Sequence, residues 1–220
     1  MHSQQDANYD SFEKTHERAM QLVVRASRIF SKAEDLLTRQ YREIKATGDL
    51  EVLDHALARL VTFHEIQGHY AKAERYLRER EATFPRSLEA KFATARYLGY
   101  SLRNPKLALW KLRQVRLPRK PGEFDFDTYY NALNVKGVML LWAGKPSLAK
   151  RNLAELVRFT RQNFGQIKFF FDLSFVEMMI ERRLSLRDCR KYLEILRKRK
   201  QVIHDQKKTI ALLRKVKTPQ

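Results

Sequence analysis

Residues able to stop a helix are rare in this chain. Its 220 residues hold 7 glycines and 6 prolines, and between Asp10 and Ala46 there is neither. A β-sandwich or barrel needs a turn every ~8–12 residues, built mostly from Gly, Asn, Asp or Pro. Those turns are missing, so an all-α fold is expected. Apolar residues make up 44%, enough for a packed core rather than a disordered basic tail.

The uninterrupted stretch carries a helical pattern. His16, Val23, Phe30, Leu37 and Ile44 recur at heptad spacing, Phe12, Ala19, Ala26 and Ala33 interleave, and Leu22, Ile29 and Leu36 widen the stripe. This predicts a disordered start over residues 1–9 and a long amphipathic helix over 10–48. At ~1.5 Å per residue the helix would run about 55 Å. Gly48 and Asp49 end it. Regularly spaced alanines admit a close neighbour. The expected use is packing back on the same chain; dimerisation or docking of a partner is the alternative, and offers a route to an oligomer.

From residue 54 to 197 the chain reads as short antiparallel helix pairs, about 54–87, 88–118, 128–163 and 166–197. In the first, Leu57, Leu60, Val61 and His64 line one face, Gly68 permits a tight turn, Tyr70, Ala73 and Leu77 follow, and Pro85 closes the unit. A small residue such as Ala73 lets two helix backbones approach. The third pair repeats the scheme with Gly137, Gly144, Ala149 and Leu153. In the second, Phe92, Ala95, Ala108 and Leu112 fit, Asn104-Pro105 replaces the turn glycine, Arg96 stands at a small-residue position, and two frames one residue apart are open. The fourth is an apolar helix over 166–183 with Phe170, Phe171, Phe175, Val176, Met179 and Ile180, then Cys189, Leu193 and Leu196.

This spacing resembles the tetratricopeptide repeat, a helix–turn–helix unit of ~34 residues, over about half the chain. Lys136 at a usually apolar position, Arg161 in place of the closing proline, and the insertion LPRKPGEFDF between units two and three depart from it. The resemblance implies stacked pairs whose first helices line a concave groove. On that basis the expected partner-binding residues are Arg59, Thr62, Glu65 and Ile66, then Arg96 and Arg103, then Asn131, Asn134, Val138 and Trp142. Ala58 and Thr62 stand where the family's clamp for chaperone C-termini would begin, which disfavours that role.

Charge is uneven. The formal net charge is +19, divided as −1 over residues 1–53, +9 over 54–121, +2 over 122–185 and +9 over 186–220. Such asymmetry implies a local basic surface. The last segment predicts a basic helix running through residues 186–216, with Cys189, Leu196, Ile203 and Ile210 along one seam and Arg197, Lys198, Arg199 and Lys200 as an unbroken run. Arg199 and Gln206 thin the seam, so residues 198–220 are expected to extend past the packed body as a basic helix and tail. A second patch sets Arg113, Arg116, Arg119 and Lys120 beside Trp110. Arginine next to aromatics can stack unpaired bases, and the run Arg197 to Lys200 is expected to meet a phosphate backbone, an acidic protein or an anionic membrane surface.

Much chemistry is not expected. One cysteine, Cys189, rules out an internal disulfide framework and is read as a buried, inert thiol. No phosphate-binding glycine loop is present, so no cofactor is expected. HEIQGH (His64 to His69) looks like the zinc-protease motif with one residue too many, and His69 falls past Gly68. Two histidines must be four apart to share a helix face, so no metal is expected there. Glu123, Asp125 and Asp127 could hold a divalent ion; the expectation instead is that Asp127 caps a helix starting at Thr128. No catalytic grouping emerges, and an enzyme is not expected. The start MHSQQDANYDSFEK lacks a secretory pattern and no apolar run reaches the ~20 residues of a membrane span, so the chain is expected to be soluble and cytoplasmic. Three functions follow: an adaptor binding a peptide or acidic protein, a binder of RNA or single-stranded nucleic acid, and a structural subunit of a larger assembly.

Overall fold

The computed structural model describes residues 2–168, 173–198 and 206–217, and among them every regular element is helical. None of these helices is long and apolar enough to cross a membrane. The chain divides into two compact units, Met1–Arg80 and Glu81–Gln220.

The first unit holds α1 (His2–Thr47), α2 (Leu50–Ile66) and α3 (Tyr70–Thr83), the last continuing three residues into the second unit. α1 begins at His2, so the residues expected to be disordered continue the helix; no Pro or Gly among them interrupts it. Gly48 (φ 74) reverses the chain, and the Asp49 carboxylate accepts from the Val52 N–H at 3.1 Å to start α2. Leu53, Leu57, Leu60, Val61, Ala73, Tyr76 and Leu77 are buried. The end of α1 joins them: Tyr41 is buried and meets Tyr76 edge-on at 5.8 Å, and Lys45 pairs with Glu79 at 2.6 Å. Further back the expected packing is partial, with Ala26, Ala33 and Leu37 half-buried. Leu22, Ile29 and Leu36 are all more than 60% exposed. Arg80, almost fully buried, holds the Asp54 carboxylate with two hydrogen bonds of 2.6 and 2.7 Å.

The turn from α2 to α3 follows from the orphan carbonyls at a helix end. Gly68 (φ 71) donates its N–H to Glu65 O at 3.0 Å, and His69 donates its N–H to His64 O at 2.9 Å. This is the Schellman arrangement. It recurs at α6/α7, where the Gly144 N–H reaches Leu141 O and the Lys145 N–H reaches Leu140 O, and at α8/α9, where the Arg183 N–H reaches Ile180 O and the Leu184 N–H reaches Met179 O.

The second unit contains α4 (Leu88–Arg96), a π-helical turn (Tyr97–Ser101), α5 (Pro105–Leu112), α6 (Asp125–Trp142), α7 (Pro146–Gln162), α8 (Ser174–Glu181), α9 (Leu186–Arg197) and α10 (Gln206–Lys217). The π turn closes its Leu102 N–H on Tyr97 O and adds a residue to the helical cycle. That residue is the physical origin of the two frames that fit the second pair. Asn104 then caps α5 by accepting from the Leu107 N–H, and Pro105 opens the helix where its missing N–H costs nothing.

The small-then-large positions of the second helices are buried in every pair: Ala73 and Leu77, Ala108 and Leu112, Ala149 and Leu153, Cys189 and Leu193. The chain is therefore an all-α, tetratricopeptide-like helical repeat. In the second unit α6 lies at the centre of one continuous core with Tyr130, Met139, Leu156, Phe175, Met179 and Tyr192. The Tyr130 and Tyr192 hydroxyls share a hydrogen bond inside it. Burial pushes the Cys189 thiol up to about 12.

Three further expectations change. The apolar helix expected over 166–183 is shorter, with α8 starting at Ser174; Phe170 and Phe171 lie outside the described residues. α6 starts at Asp125, three residues early, so Asp127 is not its cap. Instead Asp127 accepts the Lys168 N–H at 2.7 Å, Asp125 accepts the Gly122 N–H at 2.7 Å, and Glu123 pairs with the Lys168 ammonium. The three carboxylates thus have separate structural tasks. The single basic helix expected over 186–216 is two helices. α9 ends at Arg197, and α10 packs on α8 and α9 with Thr209, Leu212 and Leu213 buried and Lys208 on Glu177 at 2.8 Å. Its stripe is turned from the expected seam, leaving Ile210 exposed; Ile203 lies outside the described residues.

Candidate ligand-binding cleft

A cleft of about 400 Å³ opens in the second unit between α5, α6 and α7. α5 contributes Lys106, Leu109, Trp110, Leu112 and Arg113; α6 contributes Lys136 and Leu140; Lys145, Leu148, Arg151, Asn152 and Glu155 come from α7 and the residue before it. The placement follows from the helix period. Ala149, Leu153 and Leu156 take the inward face of α7, which turns Leu148, Arg151 and Glu155 onto the flank beside α5 and α6. Asn152, buried, fixes that flank by donating its Nδ2 to Leu133 O of α6 at 2.8 Å.

Five cations meet one carboxylate here. Glu155 takes Lys136 at 3.5 Å and the Tyr129 hydroxyl at 3.0 Å. Burial, with Glu155 beside it, pushes the Tyr129 phenol up to about 12, so it remains a neutral donor at physiological pH. Among the described residues Lys106, Arg113, Lys145 and Arg151 have no acid within ion-pair distance. Between them lies apolar surface: Trp110 is 56% exposed and Leu148 44%. A ligand with anionic groups flanking an apolar or aromatic group matches this chemistry.

The residues expected on the first-helix faces do not line this cleft. Arg59, Thr62 and Ile66 are exposed and Glu65 is half-buried on α2, in the first unit. Arg96 is exposed on α4. The Arg103 guanidinium lies over the Trp142 ring at 5.4 Å, with Tyr100 edge-on to the same ring. Asn131 is half-buried and Val138 buried. Asn134 is fully enclosed, its Nδ2 donating to Tyr130 O at 3.1 Å, and so presents nothing to a ligand. Of the basic set near Trp110, Arg113 lines the cleft; Arg116, Arg119 and Lys120 are exposed beyond it. Arg197 and Lys198 are exposed at the end of α9, and Arg199 and Lys200 lie outside the described residues.

Sequence reasoning missed Lys106, Lys136, Lys145, Leu148, Arg151 and Glu155. One signal was present: Lys136 departs from the repeat pattern at a usually apolar position, and it is this side chain that enters the cleft. The reason for expecting no metal at HEIQGH also fails. The Schellman turn carries His69 back beside His64, so residues five apart in sequence come together without sharing a helix face.

By sequence, no protein-family model matches this chain, nor does any curated protein. Among solved structures it is similar to PilW, a widely conserved type IV pilus biogenesis factor, at 14% identity and a TM-score of 0.47, over 84% of this chain and 89% of PilW. Likeness at that level does not bear on what this chain binds.

Proposed function

We propose that the chain is a non-enzymatic adaptor that holds an acidic, extended protein segment in the α5–α7 cleft. The observation that supports this reading is the set of four cations without acidic partners around an exposed Trp110 and Leu148. Carboxylates of the segment meet Lys106, Arg113, Lys145 and Arg151, while an apolar side chain covers Trp110. Long-range attraction speeds encounter, and the buried aromatic anchor sets lifetime.

A second reading, single-stranded RNA, draws on the same Trp110 flanked by Lys106 and Arg113, since a base can stack on the indole. The two separate on salt and sequence. Titration by fluorescence anisotropy, with an acidic peptide carrying one aromatic residue and with a single-stranded RNA, decides between them. The adaptor reading expects the peptide to bind more tightly. It also expects the double variant Arg113→Glu, Arg151→Glu to weaken that binding at least tenfold with the thermal midpoint unchanged, both residues being exposed. Tighter RNA binding, with a steep log–log salt slope, favours the second reading. Peptide binding indifferent to the double variant removes the cleft from either one.

A further inference from the structure

The least explained group in the first unit is an imidazole. His64 is 0% exposed, and neither Nδ1 nor Nε2 has a hydrogen-bond partner. A neutral imidazole offers one donor and one acceptor, and leaving a buried polar atom unsatisfied is destabilising. Packing alone does not call for a histidine. The ring stacks on Tyr76 at 5.5 Å and 5°, and Phe63 meets it edge-on; a phenylalanine would fill that space without the polar cost.

The surroundings supply what packing does not. His69 lies past the left-handed Gly68, its N–H bonded to His64 O at 2.9 Å, and the two rings are 6.0 Å apart. Glu34 reaches the same place from α1. One donor atom from each of Glu34, His64 and His69 falls within 4.8 Å of the others. Lys72, in the first turn of α3, bonds Glu34 Oε1.

We propose that Glu34, His64 and His69 form a binding site for a divalent transition-metal ion, with zinc as the best fit. Two imidazoles and a carboxylate suit zinc and its neighbours and are poor ligands for calcium or magnesium. Bonds of ~2.0–2.1 Å at a tetrahedral centre set ligand atoms about 3.3 Å apart. Closing from the observed spacing requires movement of His69, which is exposed, and of Glu34, which has a long side chain; His64 stays where the core holds it. Three protein ligands leave a fourth position for water or an outside group. Lys72 competes for the carboxylate and therefore tunes the affinity. This site is independent of the α5–α7 cleft.

The full chain, freed of metal by chelation, is titrated with Zn²⁺ by calorimetry and with Co²⁺ by visible absorption. One ion per chain, with the intense bands of four-coordinate cobalt, is expected, and none with Ca²⁺ or Mg²⁺. His69→Ala and Glu34→Gln, both at positions outside the core, should each weaken zinc binding at least tenfold, while His55→Ala, exposed on α2, should not. Lys72→Met should tighten it. His64→Phe should keep the fold and lose the zinc-induced rise in thermal midpoint. Absence of binding, binding unchanged in His69→Ala and Glu34→Gln, or a Lys72→Met variant no tighter than the parent each overturns the proposal.

Discussion

The α6/α7 and α8/α9 hairpins make the same turn with different residues. Both close a pair of backbone hydrogen bonds of equivalent connectivity and nearly equal length: 3.2 and 2.8 Å in the first, 3.0 and 2.8 Å in the second. At the left-handed position one has Gly144 (φ 68) and the other Arg183 (φ 53), with Ser185 (φ 50) just behind it. What the two hairpins share is the need of the last helical carbonyls for donors. Glycine lowers the cost of meeting that need but does not create it.

Three substitutions test this comparison. The largest effect is expected where the two hairpins touch. A Cβ on Gly137 would lie 2.5 Å from ring carbons of Phe175, itself fully buried, so ring or helix must shift. Gly137→Ala should cost about 2–3 kcal/mol of stability in urea unfolding; a loss under about 0.5 kcal/mol would mean α6 and α8 pack less closely than described. Next, Gly144→Ala should cost about 1 kcal/mol, because an L-residue resists positive φ, although the space around it is open. Smallest is the reverse change: Arg183→Gly should raise stability by about 0.5–1 kcal/mol. A loss there would show that the arginine side chain contributes more than its backbone strain removes.

The same contrast explains what was legible in the sequence. Where chemistry marks the turn, at Gly68 and Gly144, the pairs could be read from the residues, along with their buried small-then-large positions. Where it does not, the boundary between two helices is hidden. Arg183 carries no turn signature, and residues 166–183 read as one helix because the apolar run gives no reason to divide it. The π turn at Tyr97–Ser101 surrounds Gly99, where Met139 and Ala108 press close, and its extra residue shows in the sequence only as the two frames of the second pair. The pattern of α1 is amphipathic throughout, yet pattern cannot say which part of a stripe finds a neighbour; Tyr41 finds one, and Ile29, three turns earlier, stays exposed.

Sites were less legible than fold. The repeat resemblance directed attention to first-helix faces, and there Asn134 is consumed by the core. The cleft instead draws on the flank of α7, whose Leu148, Arg151 and Glu155 become neighbours of Trp110 only once α5 and α6 are placed. His64 and His69 show the complementary case: their nearness depends on two backbone hydrogen bonds, which no count of intervening residues conveys.

The bond from Asn152 to Leu133 O has a consequence for recognition. With its Nδ2 committed to α6, Asn152 holds the flank of α7 against α6 without the help of a ligand. What must still be immobilised are the lysine and arginine stems at the mouth, at about 0.5–1.5 kcal/mol each. For the adaptor proposed above, ordering those stems is the part of the binding cost that the fold has not already met.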